Sequence, residues 1–538
     1  MFPRVDHVNR WLPHDPGRIV SARPLRRGGR RGDEPLFKWT RNRYVAGEAD
    51  FMARHRVEFN VDALGRAASR VSDNSPFQSI TKISEDHYHK CYELLMGNGK
   101  QLIAKIPLPH VSIPHLTCAN QVATVDFARS TLKLPAPKVL DWNSRLGSEN
   151  PVGAEYILMQ KLPGVPFDTV NDSEEFGRHH VLALAKQIFE LEKSLLGMTF
   201  RNIGSIYYKG DVTSPKDFVY STPEGEEIND SRCTLECDRG PWTSAVEYLK
   251  AIVKRELQAV DTAPQLPLSF ESILGSRTYR PTAAKKHLAG KMCLQLIEHI
   301  IPTPPSPISQ YRLWHNLLSD DRILVDVNDP GKITGITGWH NAPIAPLFKQ
   351  KIWPGFWGWD RKAGAEYGYE ESSIMRGEDD EPFCEKDIWH ELAREILHLH
   401  QKPDILHADR YGSTTAGAYM EEAENLFEKD EVIMAYEVIG LQKLWKRGFR
   451  HVQKKSRGAP FPVKLTHRHV RRLRRDKEIW GHGYALENRV KWRVGSLWPM
   501  DGAIDHESYG ETKDKLAECK KHFVDSGEIY EKDWPYDS

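Results

Sequence analysis

The chain has 538 residues, with 75 Lys plus Arg against 74 Asp plus Glu and a net charge of +1. That balance excludes a global pull toward nucleic acid or an acidic partner, and the length admits more than one lobe or domain. No apolar run approaches the roughly 18 residues of a membrane span. The seven Cys are scattered without a CxxC pair, which fits a reducing compartment better than a disulfide framework.

Residues 1–36 hold Arg4, Arg10, Arg18, Arg23, Arg26, Arg27, Arg30 and Arg31 but no Lys. Arg-rich and acid-poor describes a mitochondrial presequence. Against it, Pro3, Pro13, Pro16 and Pro24 interrupt any amphipathic helix, and a disordered tail is the competing reading. Phe59, Val61, Leu64, Ala67, Ala68 and Val71 then fall at helical spacing. Residues 80–107 read as a β-meander, in which Cys91–Met96 and Lys100–Pro107 flank the hairpin signal Gly97-Asn98-Gly99. The second of these strands carries Lys105, a residue type that most often sits at a solvated strand edge. The turn before it, Glu85-Asp86-His87-Tyr88-His89-Lys90, contains no Gly.

A helix is expected over about Thr117–Lys133, with Val122, Val125, Ala128 and Leu132 on one face. Leu134–Val139 and Gly153–Met159 read as strands, followed by Met159-Gln160-Lys161-Leu162-Pro163-Gly164. From His179 onward helices dominate, over His180–Leu196, Trp242–Val260 and Ala283–Ile300. A Pro-rich linker at 302–307 feeds the segment Tyr311–Phe348. There Arg322–Asp326 and Lys332–Thr337 read as two strands around the turn Asn328-Asp329-Pro330-Gly331. Tyr367–Glu385 is an acidic surface loop, and Trp389–Leu399 and Gly417–Phe427 read as helices. Trp389-His390-Glu391 fails as a zinc helix because Arg394 stands where HExxH needs His, and no metal site is read in the chain. Residues 443–477 are strongly basic, with Asp476 their one acid. Ser508 and Glu511 form a capping-box pattern opening a charged helix to about Val524.

Leu313, Trp314, His315, Leu318, Ile323, Val325 and Asp326, then Ile333, Thr334, Gly335, Ile336 and Trp339, together with Ala119–Phe127 and the strand around Lys105, resemble the aminoglycoside phosphotransferase family. The resemblance covers roughly residues 37–530, and its opening stretch is similar to a fungal, mitochondrial branch of that family. It implies an α+β, protein-kinase-like bilobal fold with a small antiparallel-sheet N-lobe and a larger, mainly helical C-lobe. The implied divisions are an extension at 1–36, an N-lobe at 37–160, a C-lobe at 161–442 and a basic, helical region at 443–538. It implies a phosphate-contacting Lys at Lys105, its helix partner at Gln121 where the family has Glu, and a nucleotide hinge at Met159, Gln160 and Leu162. At the reactive positions the pattern is broken. Leu317 stands at the catalytic Asp, Arg322 at the metal-binding Asn and Gly338 at the second metal-binding Asp. The glycine turn over the phosphates is bulky, and Glu85 and Asp86 there would repel phosphate.

Phosphoryl transfer needs an oriented acceptor, metal neutralisation of phosphate charge and positioned cations. Leu317 accepts no hydrogen bond, Arg322 repels a metal and Gly338 offers no ligand. The first reading is therefore a catalytically degenerate scaffold or binding protein with a protein partner. In its sharper form Arg322 replaces the metal, so that ATP binds without magnesium through Lys105 and Arg322. The second is an active small-molecule phosphotransferase with relocated groups, Asp320, Asp321 or His315. The third is an RNA- or anionic-membrane-binding module using Arg471, Arg472, Arg474 and Arg475. Mitochondrial localisation is expected, with cytoplasmic as the alternative.

Overall fold

The computed structural model describes residues 34–145, 149–171, 176–211, 235, 237–263, 266–267, 279–352, 398–399, 401–446, 459–499 and 502–536. The Arg-rich segment up to residue 33, the acidic loop Tyr367–Glu385, most of Trp389–Leu399 and part of the basic tract lie outside the described residues.

Asn60 opens the first long helix, α1 (Val61–Arg70), its side-chain oxygen accepting the Ala63 N–H at 3.0 Å. Strands β1 (Phe77–Glu85), β2 (His89–Met96) and β3 (Gln101–Pro107), helix α2 (Leu116–Ser130), and strands β4 (Val139–Asn143) and β5 (Tyr156–Gln160) follow. The five strands form an antiparallel sheet in the order β1-β2-β3-β5-β4. Alternation places Tyr92, Leu94 and Met96 of β2 in a core with Val61, Leu64 and Ala68 of α1. Helix α2 packs Cys118 and Val122 against Ile157 and Met159 of β5. Lys105 is not an edge residue. It sits opposite Cys91 on one side and Ile157 on the other, in the middle of the sheet, 4% exposed. The strand expected over Leu134–Val139 begins only at Val139, because Pro135 and Pro137 lack the N–H a ladder needs.

The second lobe is mainly helical. Helices α3 (Arg178–Leu196), α4 (Ala245–Thr262) and α5 (Ala283–Ile300) contribute Leu184, Ile188, Ile252, Leu296 and Ile297 to the large core. The segment expected to be a hairpin is one. Strands β8 (Ile323–Val325) and β9 (Ile333–Ile336) pair antiparallel, preceded by β7 (Tyr311–Leu313), while β6 (Val165–Pro166) adds a third strand on β8. Two glycines permit the close fit. A Cβ on Gly335 would lie 2.6 Å from Leu162 Cδ1, and Gly164, at φ +97°, would put one 2.3 Å from the Val325 carbonyl oxygen.

Helices α6 (Asp404–Gly412), α7 (Thr415–Glu424) and α8 (Glu431–Lys446) complete this lobe. The 28-residue α9 (His467–Val494) and α10 (Tyr509–Asp525) close a smaller core in which Val490, Leu516 and Phe523 meet Val45. Residues Arg43–Tyr44 pair with Ala503–Ile504, so the two ends of the described chain are stitched together. The capping box at Ser508 does not form: Ser508 is helical itself and its side chain makes no cap bond. Among the described residues no helix is long and apolar enough to cross a membrane.

Candidate functional site

The β1–β2 turn is built on Asp86. Its Oδ1 accepts the N–H groups of Tyr88 at 2.9 Å and His89 at 2.7 Å, and the Asp86 N–H donates to the His89 carbonyl at 2.9 Å. A phosphate-cradling turn works by leaving such N–H groups open to the ligand; here a carboxylate already takes two of them. Glu85 does not face the same space. It is buried among Lys90 Nζ at 2.6 Å, Lys82 Nζ at 3.1 Å and the Thr40 N–H at 2.6 Å. The repulsion expected from this turn therefore resides in Asp86 alone.

Asp86 Oδ2 meets Arg322 Nη2 at 3.0 Å, and Arg322 Nε meets Asp321 Oδ2 at 3.1 Å. The guanidinium thus joins the turn of the first lobe to the hairpin of the second. Burial pushes the Asp86 carboxyl up, but His89 and Arg322 outweigh it and hold it well below the usual carboxylate range. Gly338, at φ +83°, lies beneath Arg322: a Cβ there would be 3.1 Å from Arg322 Cδ and 3.4 Å from His315 Cε1. The two positions expected to have lost metal ligands are therefore neighbours, and the Arg322 stem crosses the space a side chain at 338 would enter. Magnesium, which the resemblance implies here, does not fit these residues. A guanidinium fixed by two carboxylates stands at one ligand position and a glycine at the other.

Lys105 and Gln121 are both buried, yet they do not pair. Lys105 Nζ contacts His340 Nδ1 at 3.2 Å, while Gln121 Oε1 has no hydrogen-bond partner among the described residues. The neutral amide offers the ammonium less than a carboxylate would, and the imidazole takes its place. Burial pushes Lys105 down to about 8. Burial and the Lys105 charge push His340 well below its usual value, so it is a neutral imidazole.

The relocated groups fare differently. His315 Nε2 is 2.7 Å from the Thr337 carbonyl oxygen, and burial pushes His315 down to about 4, so it belongs to the frame of the hairpin. Asp321 is engaged by Arg322. Burial, with Asp168 beside it, raises Asp320 to about 6. Leu317 is half-buried in the loop after β7. At the hinge, Met159 is buried, Gln160 is exposed with its N–H donating to the Lys138 carbonyl at 2.9 Å, and Leu162 lies over Gly335. Arg471, Arg472, Arg474 and Arg475 are all exposed on α9, far from this cluster in sequence, and of the four Arg472 has an acid in reach, Asp476 at 3.8 Å.

Sequence reading missed the residues that complete the cluster, His89 and His340. Asp86, His89 and His340 are buried, and one ligand-type atom from each lies within 4.8 Å of the others. The Asp86-x-x-His89 spacing was a visible signal; His340, more than 230 positions away from Lys105 in the chain, had none.

No family model matches the chain. It is 30% identical over 315 residues to a subtelomeric hrmA-associated cluster protein of Aspergillus fumigatus, an alignment covering 52% of this chain and 60% of that protein. It is 31% identical over 182 residues to altered inheritance of mitochondria protein 9, mitochondrial, of Candida tropicalis, covering 31% of this chain and 28% of that one. The matched stretches thus span less than two thirds of either curated relative. Among solved structures, a protein described as a fructosamine-3-kinase of Thermobifida fusca aligns with TM-score 0.36 and 11% identity, over 69% of this chain and 96% of that one. The GDP and kanamycin complex of APH(2")-IIia aligns with TM-score 0.34 and 14% identity, over 71% and 97%. The chain resembles the aminoglycoside phosphotransferase family. Its fold is α+β, a five-stranded antiparallel sheet lobe joined to a mainly helical lobe.

Proposed function

We propose that this protein is a catalytically degenerate kinase-like protein that works by binding a partner rather than by transferring phosphate. The observation that carries the reading is Arg322 bridging Asp86 and Asp321 above Gly338. An incoming nucleotide would have to displace that ion pair, and the phosphates would meet the Asp86 carboxylate in place of open N–H groups. Both cations the metal-free reading would use already have partners: Arg322 holds two carboxylates and Lys105 contacts His340. The site is closed by its own side chains, which supports the scaffold over both the active phosphotransferase and the magnesium-free ATP site.

A scaffold needs a docking surface, and α9 supplies one of suitable chemistry. Arg471, Arg472, Arg474 and Arg475 present a concentrated positive charge to solvent, matched to an anionic partner. The Arg-rich first 31 residues, together with relatives named as mitochondrial, support a mitochondrial setting.

The deciding experiment is the thermal unfolding midpoint of the full chain with ATP, with and without magnesium. A ligand that binds only the folded state must raise the midpoint. The expected result is no shift in either condition. A shift that requires magnesium refutes the reading. A magnesium-free shift that Lys105→Ala abolishes restores the metal-free ATP site.

A further inference from the structure

We propose that Asp86, His89 and His340 form a binding site for a divalent transition-metal ion, zinc foremost, which clasps the two lobes where kinases hold nucleotide. Two ligands come from one turn of the sheet lobe, at the spacing Asp86-x-x-His89. The third comes from the short helical turn Trp339–Asn341 that follows the β8–β9 hairpin. The three ligand-type atoms lie within 4.8 Å of one another, and His89 Nδ1 is 3.7 Å from Asp86 Oδ1. Ligands held at about 2.1 Å by one tetrahedral ion sit roughly 3.4 Å apart, so only small side-chain movements separate this arrangement from a coordinating one.

The unmet hydrogen bonding points the same way. His89 is 1% exposed and, beyond the 3.7 Å approach of Nδ1 to Asp86, neither ring nitrogen has a hydrogen-bond partner among the described residues; His340 is 8% exposed and its Nε2 has none among them. Buried polar atoms are nearly always satisfied, and one ring nitrogen of each histidine lies within 4.8 Å of the other and of an Asp86 oxygen. The two rings pack edge to face with centroids 4.6 Å apart, which brings their nitrogens close without either serving the other. Asp86 accepts two backbone N–H bonds on one oxygen and the guanidinium on the other. A carboxylate offers about four lone-pair positions, so one remains for a metal, on Oδ2 beside the guanidinium.

Two imidazoles and one carboxylate suit zinc and its neighbours among the divalent ions, not magnesium, which asks for oxygen. Three protein ligands also leave an open coordination position. Opposing the ion are Lys105 beside His340 and Arg322 on Asp86. Arg322 is balanced by Asp86 and Asp321, whereas the Lys105 ammonium is the charge a metal would feel. The inference rests on the closed-pocket reading only in that no nucleotide phosphate occupies the same space.

The test uses the full chain, stripped with a chelator, kept reduced and free of nucleotide. It is titrated with Zn²⁺ and Co²⁺, reading bound metal per chain, the visible Co²⁺ ligand-field bands and the unfolding midpoint. One equivalent per chain and a raised midpoint are expected. Both should be lost in His89→Gln and in His340→Gln and kept in the exposed control His482→Gln. Lys105→Met removes the opposing charge and should tighten Zn²⁺ binding at least about tenfold. Sub-stoichiometric uptake overturns the proposal, as does uptake that survives both glutamine variants. If those variants do not fold, an unchanged Zn²⁺ affinity in Lys105→Met overturns it instead. A magnesium-dependent ATP shift in the metal-stripped chain would defeat the closed-pocket reading without altering zinc stoichiometry. Absent zinc with no ATP shift would defeat the clasp alone.

Discussion

Replacing Arg322 by Met tests the closure most directly. The substitution keeps an unbranched stem over Gly338 but removes the guanidinium. It leaves Asp86 and Asp321, with side chains 9% and 16% exposed, facing one another without their common cation. Removing one partner of a buried ion pair costs about 3–5 kcal/mol, mostly from the uncompensated charge that remains. The Asp321 contact is wetter than the Asp86 contact, so the lower half of that range applies here. At roughly 1 °C per kcal/mol for a chain of 538 residues, the midpoint should fall by about 3–4 °C. The diagnostic step is the cycle with Asp86→Asn. If the pair is the clasp between the lobes, Asp86→Asn should cost much less in the Arg322→Met background than in the wild type, a coupling of at least about 1.5 kcal/mol. Urea unfolding of the four proteins at one pH and salt concentration measures it. A loss below about 1 kcal/mol for Arg322→Met, or additive single effects, would refute the argument that this contact holds the pocket shut.

Gly164→Ala should destabilise by at least about 2 kcal/mol. It forces a side chain into φ +97° and drives a Cβ to 2.3 Å from the Val325 carbonyl oxygen and 2.4 Å from Thr334 Oγ1; urea midpoints will show it. Glu155 is 9% exposed and burial raises its carboxyl to about 7. Its folded value lies above its unfolded one, so its contribution is intact at pH 4 and is lost as pH rises through 7. Glu155→Gln keeps the acceptor for the His115 N–H and should therefore gain up to about 3 kcal/mol on the wild type between pH 4 and pH 8. A gap that does not widen with pH would contradict the assignment. Reversing Arg471, Arg472, Arg474 and Arg475 to Glu should leave the unfolding midpoint nearly unchanged, because all four are exposed. It should abolish binding to an anionic partner, and the wild-type affinity for that partner should fall steeply with added salt.

Much of the local structure follows from the amino-acid order. The alternation in His89–Met96 sets which side chains enter the core. Asn60 marks a helix start, and Gly97-Asn98-Gly99 closes a hairpin with the Gly99 N–H on the Met96 carbonyl at 2.9 Å. Asp326 and Pro330-Gly331 bracket the turn between β8 and β9, closed by the Asp326 N–H on the Lys332 carbonyl at 3.0 Å. These are contacts between near neighbours, whose geometry depends on period and turn chemistry alone. For the same reason the broken pattern at Leu317, Arg322 and Gly338 is visible without coordinates, since each position is counted from an intact frame.

What the broken positions became was decided elsewhere. Arg322 stands 236 residues from Asp86, and Lys105 stands 235 from His340. No local rule says that a turn carboxylate will reach the guanidinium, or that the buried lysine will leave Gln121 for an imidazole. Those choices were made by packing two lobes face to face. Burial strips water from every charge at the junction and forces each to find its partner among whatever groups the fold delivers there. The sequence determined that Leu317, Arg322 and Gly338 depart from the pattern the chain otherwise resembles; the tertiary structure determined that Arg322 pairs with Asp86 and that His89 and His340 come together beside it.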